Sequence, residues 1–339
     1  MIRVAINGFG RIGRMVARAL IESKARDFEV VAINDLAPLE TNIHLLKWDS
    51  IHGPMREPIE SGSDWMDFGF GKTQVFAQKN PEDLPWKELN VDIVLECSGV
   101  FTSKEKAMSH IQAGAKRVMV SAPSDGADLT VVYGVNHMSL SKEHVVVSNA
   151  SCTTNCFAPV ASVLHKTFGI ERGYMTTIHA YTSDQSLQDK AHKDSARARA
   201  ATLSIVPTTT GAAKAVGLVL PQLQGKCDGT AIRVPVANVS MIDFVFESQK
   251  ELSKMAINNA MVAASAMEPL KGILAINDQP LVSSDFNHHV ASSIFDVNQT
   301  QVIEGKMGRV LSWYDNEWGF SNRMIDLARF WSQILSACK

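Results

Sequence analysis

A chain of 339 residues is longer than one ordinary hydrophobic core supports, so two domains are expected. Apolar residues make up 45% and charged residues 20%, a globular composition, and 33 basic side chains nearly balance 35 acidic ones. That balance leaves no basic footprint for nucleic acid or a membrane surface, and no apolar run approaches the roughly eighteen residues of a spanning helix.

"RVAIN" (residues 3–7) reads as a strand, and "RIGRMVARALIESKA" sets Ile12, Val16, Ala19 and Leu20 at helical spacing. "EVVAIND" then forms a second strand ending in Asp35, which completes a βαβ unit. Between the first strand and the helix, "NGFGRIGR" spaces Gly8, Gly10 and Gly13 as G-x-G-x-x-G. Glycines there permit a tight turn and let backbone approach a pyrophosphate seated on the helix N-terminus. Three glycines alone would also suit a plain turn. The flanking strand and helix, with Asp35 22 residues after Gly13, supply the context of a dinucleotide site. A carboxylate at 35 can accept from ribose hydroxyls and repels a 2′-phosphate, and Leu36 offers a phosphate no polar partner, so NAD is expected over NADP.

Further strands are expected at "DIVLECSG" (92–99), "RVMVSAP" (117–123), "VVYGV" (131–135) and "VVVSNAS" (145–151), whose Val, Ile and Leu runs fit parallel strands covered on both faces. Beyond residue 150 the character changes. "TTNCFAPVASVLHKTFG" reads as a helix and "VSMIDFVFES" (239–248) alternates like a half-exposed antiparallel strand, so a domain boundary is placed near 150. The closing "NRMIDLARFWSQIL" carries Met324, Leu327, Phe330 and Trp331 on one face and is able to pack back on the first domain. No internal repeat appears, which removes solenoid folds.

At the boundary lies "SNASCTTNC" (148–156), and Cys152 admits three readings. Packing is weakened by its polar neighbours Ser151, Thr153, Thr154 and Asn155. A metal site lacks ligands, since Cys156 stands four residues on along a helix with no second cysteine or histidine pair nearby. As a nucleophile, Cys152 would follow a strand and start a helix, where unpaired N–H groups and the dipole favour a thiolate. His179 in "MTTIHAYT" offers the base. Ser151, Thr153, Thr182, Thr208, Thr209, Thr210 with Gly211, Arg197, Arg199 and Arg233 supply donors suited to phosphate. Any single arginine could be a solvated charge, but "PTTTGAAKA" leads small donors into a helix start, an anion-binding arrangement. The five cysteines (Cys97, Cys152, Cys156, Cys227, Cys338) are odd in number and scattered, and the N-terminus enters "MIRVAINGFG" without a secretory leader. A cytoplasmic protein without disulfides is expected.

From "INGFGRIGR" and "SNASCTTNC" through "HAYT", "IVPTTTGAAKAVG" and "RVP" to "WYDNEWGFSNRM", the chain resembles bacterial-type phosphorylating glyceraldehyde-3-phosphate dehydrogenase over essentially its whole length. Aspartate-semialdehyde dehydrogenase shares the cysteine logic but not this string of motifs. The resemblance implies an α/β protein with a Rossmann-type doubly wound parallel sheet, residues 1–150 and 316–339, that binds NAD. It also implies an α+β catalytic domain with a mostly antiparallel sheet, residues 151–315. Cys152 would form a thiohemiacetal and then a thioester, His179 would serve as acid and base, and inorganic phosphate would release 1,3-bisphosphoglycerate. The oxyanion would sit on the Cys152 N–H and His179. The resemblance places the phosphate of glyceraldehyde 3-phosphate near Thr182 and Arg233, and the attacking phosphate near Ser151, Thr153, Thr210, Gly211 and Arg197. It assigns Arg11, Ile12, Asp35, Ser121 and Asn316 to NAD, beside the three glycines already read from their spacing, and implies a homotetramer.

Three departures from the family pattern, at five residues, stand out. Lys79 in "KNP" stands where relatives carry an arginine near the adenine, so planar stacking there would be lost. Lys190 and Ala191 replace Leu-Pro in a loop that would reach a neighbouring subunit's cofactor, which makes a 2′-phosphate and hence NADP more tolerable. Ser195 and Ala196 replace Leu-Arg in the same loop. The nearest rival is erythrose-4-phosphate dehydrogenase, which finishes with water; the "HAYT" threonine and "TTTG" run favour the phosphorylating enzyme. A cysteine hydrolase would have no use for the glycines and Asp35, and a nucleic-acid-binding role finds no aromatic-basic patch.

Overall fold

The Val, Ile and Leu runs of the first 150 residues build one nine-stranded sheet. From edge to edge it runs Leu129–Thr130, Val146–Ser148, Arg117–Val120, Ile93–Glu96, Ile2–Asn7, Phe28–Asn34, Thr73–Phe76, Trp65–Asp67 and Glu60–Ser61. The strands from Leu129–Thr130 to Thr73–Phe76 are parallel, and the last two close that edge antiparallel. Val4, Ile6, Ile93 and Val94 are fully buried, as parallel strands covered on both faces require. The chain starts mid-sheet, at Ile2–Asn7, then steps to Phe28–Asn34 on one side and to Ile93–Glu96 on the other. Such a reversal opens a crevice beyond the carboxyl ends of those strands. Helix Arg11–Glu22 buries Val16, Ala19 and Leu20.

No strand forms at 131–135. Gly134 turns there at φ +87°, Val131 adds one last ladder bond to the Ser148 carbonyl (2.8 Å), and the edge strand is Leu129–Thr130 instead. Apolar content outweighed turn chemistry in the expectation. The strand expected at 145–151 shortens to Val146–Ser148, because Ala150 takes a left-handed φ of +56°.

The second sheet runs Val206–Thr209, Cys227–Val234, Ile170–Ala180, Ser240–Ser248, Met307–Tyr314, Ser293–Asp296 and Leu274–Asn277, with Gln301–Ile303 also paired to Met307–Tyr314. It is mostly antiparallel. Along Ser240–Ser248, Ile242, Phe244 and Phe246 point inward and Val245 is exposed, the period of two that the sequence shows. Helix Cys152–Phe168 packs on that inner face through Phe157, edge-on to Phe244 with ring centres 4.7 Å apart.

The computed structural model describes residues 1–336, so Cys338 lies outside the described residues, as do 337–339 of the expected first domain. The chain divides by contact into two units, Met1–Val131 with His137–Ala150 and the chain from Ser321, and Val132–Asn136 with Ser151–Phe320. Residues 132–136 and 316–320, which the sequence reading puts in the first domain, fall in the second unit. The last helix, Trp318–Ser336, belongs to the first unit from Ser321 on, where Met324, Leu327 and Trp331 are fully buried and Arg329 pairs with Asp27. Among the described residues no helix is long and apolar enough to cross a membrane.

Candidate active site and dinucleotide cleft

Cys152 is the first residue of its helix, and Ser151 caps it: Ser151 Oγ accepts from the Thr154 N–H at 3.1 Å. The half-buried thiol lies 3.5 Å from Nε2 of His179, near the end of strand Ile170–Ala180. Parallel pairing sets His179 opposite Arg233, and antiparallel pairing sets Arg233 opposite Val206 at the head of the threonine run. Register alone thus gathers residues 27 and 81 positions downstream of Cys152.

Arg233 Nη1 has three neighbours in range: Ala180 O at 3.0 Å, Thr182 Oγ1 at 3.4 Å and His179 Nδ1 at 3.0 Å. It carries two hydrogens. His179 Nδ1 also lies 2.7 Å from the Ala180 carbonyl. The Nδ1 hydrogen and both Nη1 hydrogens find acceptors when Nδ1–H donates to that carbonyl and Nη1 serves Ala180 O and Thr182. Nε2 then presents a lone pair to the thiol. Burial, reinforced by the Arg233 charge, holds His179 down to about 3, while burial pushes the Cys152 thiol up against the opposing pull of Arg233. The resting pair is therefore a neutral thiol beside a neutral imidazole. Cys156 is fully buried and pushed up to about 12, so the two cysteines of the motif differ in kind.

The anion donors form a second layer. Thr210 Oγ1 accepts from the Ala212 N–H at 3.2 Å, and Gly211 begins helix Ala212–Val219 with open space where a Cβ would stand. Arg197 donates to Thr208 Oγ1 (3.0 Å) and pairs with Asp184 at 2.6 Å, so its charge is already partly met. Thr153 is buried with its hydroxyl 2.9 Å from the Tyr314 phenol, which also lies 2.9 Å from Thr177 Oγ1. Arg199 pairs with Asp189 on the surface. Tyr314 and Asp184 escaped the sequence reading as site residues. The former sits inside the "WYDNEWG" motif, but its two partners lie 161 and 137 residues away. Asn316 Oδ1 accepts from Ser240 Oγ at 2.8 Å, and Ser240 in turn accepts from the Ala180 N–H.

In the first unit, Gly8, Asp35 and Ser98 follow three adjacent strands and line a cleft of about 460 Å³, with Gly10, Gln78 and Lys79 on its walls. Gly8 turns at φ +88°, and a Cβ there would stand 2.4 Å from Ser98 Cα; one on Gly13 would meet the Gly8 carbonyl at 2.1 Å. Gly10, by contrast, faces open space, and helix Arg11–Glu22 has no side-chain cap. A helix start without a side-chain cap, beside open space, suits a pyrophosphate. Asp35 accepts from the Phe9 N–H (2.7 Å) and the Ala37 N–H (2.9 Å), one on each oxygen, and each oxygen keeps capacity for a ribose hydroxyl. The residues present fit a dinucleotide. Ile12 is half-buried in the first turn, the Arg11 side chain pairs with Asp49, and the Ser121 N–H donates to the Glu96 carbonyl at 3.0 Å. Among the described residues no group of three His, Cys, Asp or Glu could hold a metal ion.

Two family profiles match the chain: the NAD binding domain of glyceraldehyde 3-phosphate dehydrogenase over residues 2–104, and the C-terminal domain of the same enzyme over 151–316. The chain is 63% identical to the glyceraldehyde-3-phosphate dehydrogenase of Xanthobacter flavus over 327 residues, 96% of this chain and 97% of that one. It is 59% identical to that of Cereibacter sphaeroides, covering 98% and 99%, and 52% identical to that of Geobacillus stearothermophilus, covering 97% and 98%. With a dinucleotide cleft in one unit, a paired cysteine and histidine in the other, and matches that span both, the chain belongs to the glyceraldehyde-3-phosphate dehydrogenase family of NAD-dependent oxidoreductases.

Proposed function

We propose that the protein oxidises D-glyceraldehyde 3-phosphate with NAD and inorganic phosphate to 1,3-bisphosphoglycerate, with Cys152 as nucleophile and His179 as its acid and base. The observation that carries this reading is the Cys152–His179 pair at 3.5 Å, with Arg233 on the far side of the imidazole. As the sulfur attacks the aldehyde carbon, its proton passes to Nε2, and the thiohemiacetal forms with its oxygen near the helix N-terminus. Bound NAD supplies the hydride acceptor. Burial keeps the imidazolium costly, so His179 gives that proton to the thiohemiacetal oxygen, takes it back as hydride leaves the carbon and the thioester carbonyl forms, and later returns it to the departing sulfur. A phosphate oxygen attacks the thioester carbon in that last step, and the Cys152 sulfur leaves.

Arg233 and Thr182 would receive the substrate's phosphate, a role supported by the buried Arg233 Nε, which has no hydrogen-bond partner among the described residues. Ser151, Thr153, Thr210, Gly211 and Arg197 would hold the attacking phosphate, and Arg11, Ile12, Asp35, Lys79, Ser121 and Asn316 the NAD. Functionally, residues 1–150 with 316–339 would act as the NAD domain and 151–315 as the catalytic domain. A homotetramer is supported by exposed apolar side chains that a lone subunit leaves to water: Leu187 at 72%, Leu203 at 85% and Ile205 at 71% exposure. A cytoplasmic location agrees with the free thiols Cys97, Cys152, Cys156 and Cys227.

The test is NADH formation from glyceraldehyde 3-phosphate and NAD with and without phosphate, beside a Cys152→Ser variant. Sustained turnover is expected only with phosphate, and the serine variant should lose it at least about a thousandfold while still binding NAD. Turnover indifferent to phosphate would mean a hydrolytic finish, as in the erythrose-4-phosphate enzyme. A parallel run with NADP reads the contribution of Lys190.

A further inference from the structure

Beneath the dinucleotide cleft lies a chain of buried polar groups whose hydrogen-bond directions are fixed from both ends. At one end the Gln78 backbone N–H, a donor only, reaches Asn34 Oδ1 at 2.8 Å. The Asn34 amide nitrogen must then donate, and it does so to Asn7 Oδ1 at 2.8 Å and to the Gln78 carbonyl at 2.9 Å. With its oxygen taken, Asn7 donates through Nδ2 to Glu96 Oε2 at 2.6 Å. At the other end the Trp86 indole N–H, again a donor only, meets His110 Nδ1 at 3.0 Å. His110 therefore donates through Nε2, also to Glu96 Oε2, at 2.9 Å. The second oxygen of Glu96 accepts from the Ser98 backbone N–H at 2.8 Å and from the Ser98 hydroxyl, which itself accepts from the Val100 N–H. All four neighbours of this carboxylate donate, and Glu96 is 1% exposed. It is an acceptor hub without which every arrow in the network loses its end.

What the hub holds is the cleft. Ser98 is the residue on which Gly8 packs, Asn7 precedes Gly8, Asn34 precedes Asp35, and Gln78 adjoins Lys79. Resting on the NAD reading above, we infer that Glu96 is a positioning residue for the dinucleotide: it sets the height and spacing of the glycine turn, the Ser98 wall and the Asp35 strand end without touching the cofactor. Glu96→Gln keeps shape and volume but puts an NH2 among four donors, so at least one neighbour must turn away.

The experiment titrates NAD binding calorimetrically for wild type, Glu96→Gln, Ser98→Ala and the double variant, with iodoacetamide alkylation of Cys152 in the NAD-free protein as a second readout. For Glu96→Gln the expected result is a dissociation constant and a KM for NAD raised about tenfold, kcat at saturating NAD within about twofold, and an unchanged alkylation rate. Ser98→Ala should weaken NAD about threefold alone and add almost nothing in the Glu96→Gln background, because the two act through one link. Unchanged NAD affinity in Glu96→Gln, or effects that simply add, overturns the inference, as does a parallel fall in alkylation. Should Glu96→Gln not yield folded protein, an unchanged affinity in Ser98→Ala overturns it. Wild-type protein that binds no NAD would instead overturn the cofactor reading itself.

Discussion

Cys152 and His179 face each other as neutral groups, and that choice of protonation state reaches beyond catalysis to acid stability. An unfolded histidine binds its proton near pH 6.5, whereas His179 in the folded protein is held down to about 3 by burial and by Arg233. Below about pH 6.5 the unfolded chain therefore takes up a proton that the folded chain refuses, and stability falls with pH until about 3. The gap of roughly 3.5 units sets an upper bound of about 5 kcal/mol on this contribution. Comparing urea unfolding of wild type and His179→Gln between pH 7 and 4.5 isolates it, since other carboxylates and histidines cancel. The wild type should lose stability more steeply on acidification. Parallel pH profiles would mean that the imidazole titrates at its ordinary value in the folded protein and is not held down by burial, and a shallower wild-type profile would mean an imidazolium, which would overturn the neutral-pair mechanism.

The loop at 181–205 is built from its own charges, although nothing in its composition announces an order. Asp194 accepts from the Ala196 N–H at 2.9 Å and from Thr208 Oγ1 at 2.6 Å, while Asp184 grips the Arg197 guanidinium. Arg197 is thereby steered onto Thr208 and the Thr209 carbonyl, next to Thr210 and Gly211. The sequence shows Ser195 and Ala196 as departures, and the turn they occupy is closed by Asp194 irrespective of those side chains. Asp194→Ala is expected to raise the KM for phosphate several-fold, with a smaller effect on the KM for glyceraldehyde 3-phosphate, whose proposed donors Thr182 and Arg233 are tied to strand ends. Initial-rate kinetics with each substrate varied would show equal rises if the loop served both phosphates. Local signals of this kind explain what the sequence disclosed. The glycine spacing, Asp35 and the alternation in "VSMIDFVFES" are short-range patterns and were legible. The shared Tyr314 phenol and the Glu96 hub depend on partners far apart in sequence, which no window of residues contains. At 131–135 the valines spoke for a strand, and Gly134 decided otherwise.

At the scale of the whole molecule, the second sheet has one face under helix Cys152–Phe168 and another that no described element of its unit fully covers. On the latter face Tyr174 is 52% exposed and lies opposite Val245, which is 38% exposed and pairs in register with Arg309. Arg309 forms two hydrogen bonds to Asp243, and Arg172 two to Glu247, so the face alternates apolar side chains with satisfied ion pairs. Such a mixture suits contact with a second copy better than free solvent, because the charges are already neutralised and the apolar groups stand ready to be buried. Val245→Asp adds a carboxylate to that face, close to Glu247 and Asp243 and opposite an Arg309 already committed to Asp243. Desolvating it against another subunit would cost several kcal/mol, while in a free subunit it would sit in water at little cost. Sedimentation velocity should therefore show the wild type as a tetramer and the variant as smaller species with an unchanged far-ultraviolet circular dichroism spectrum. A variant that sediments as a tetramer would place the subunit contact elsewhere, on Leu187, Leu203 and Ile205 of the loop, and the same substitution made at Leu203 would then be the one to disperse it.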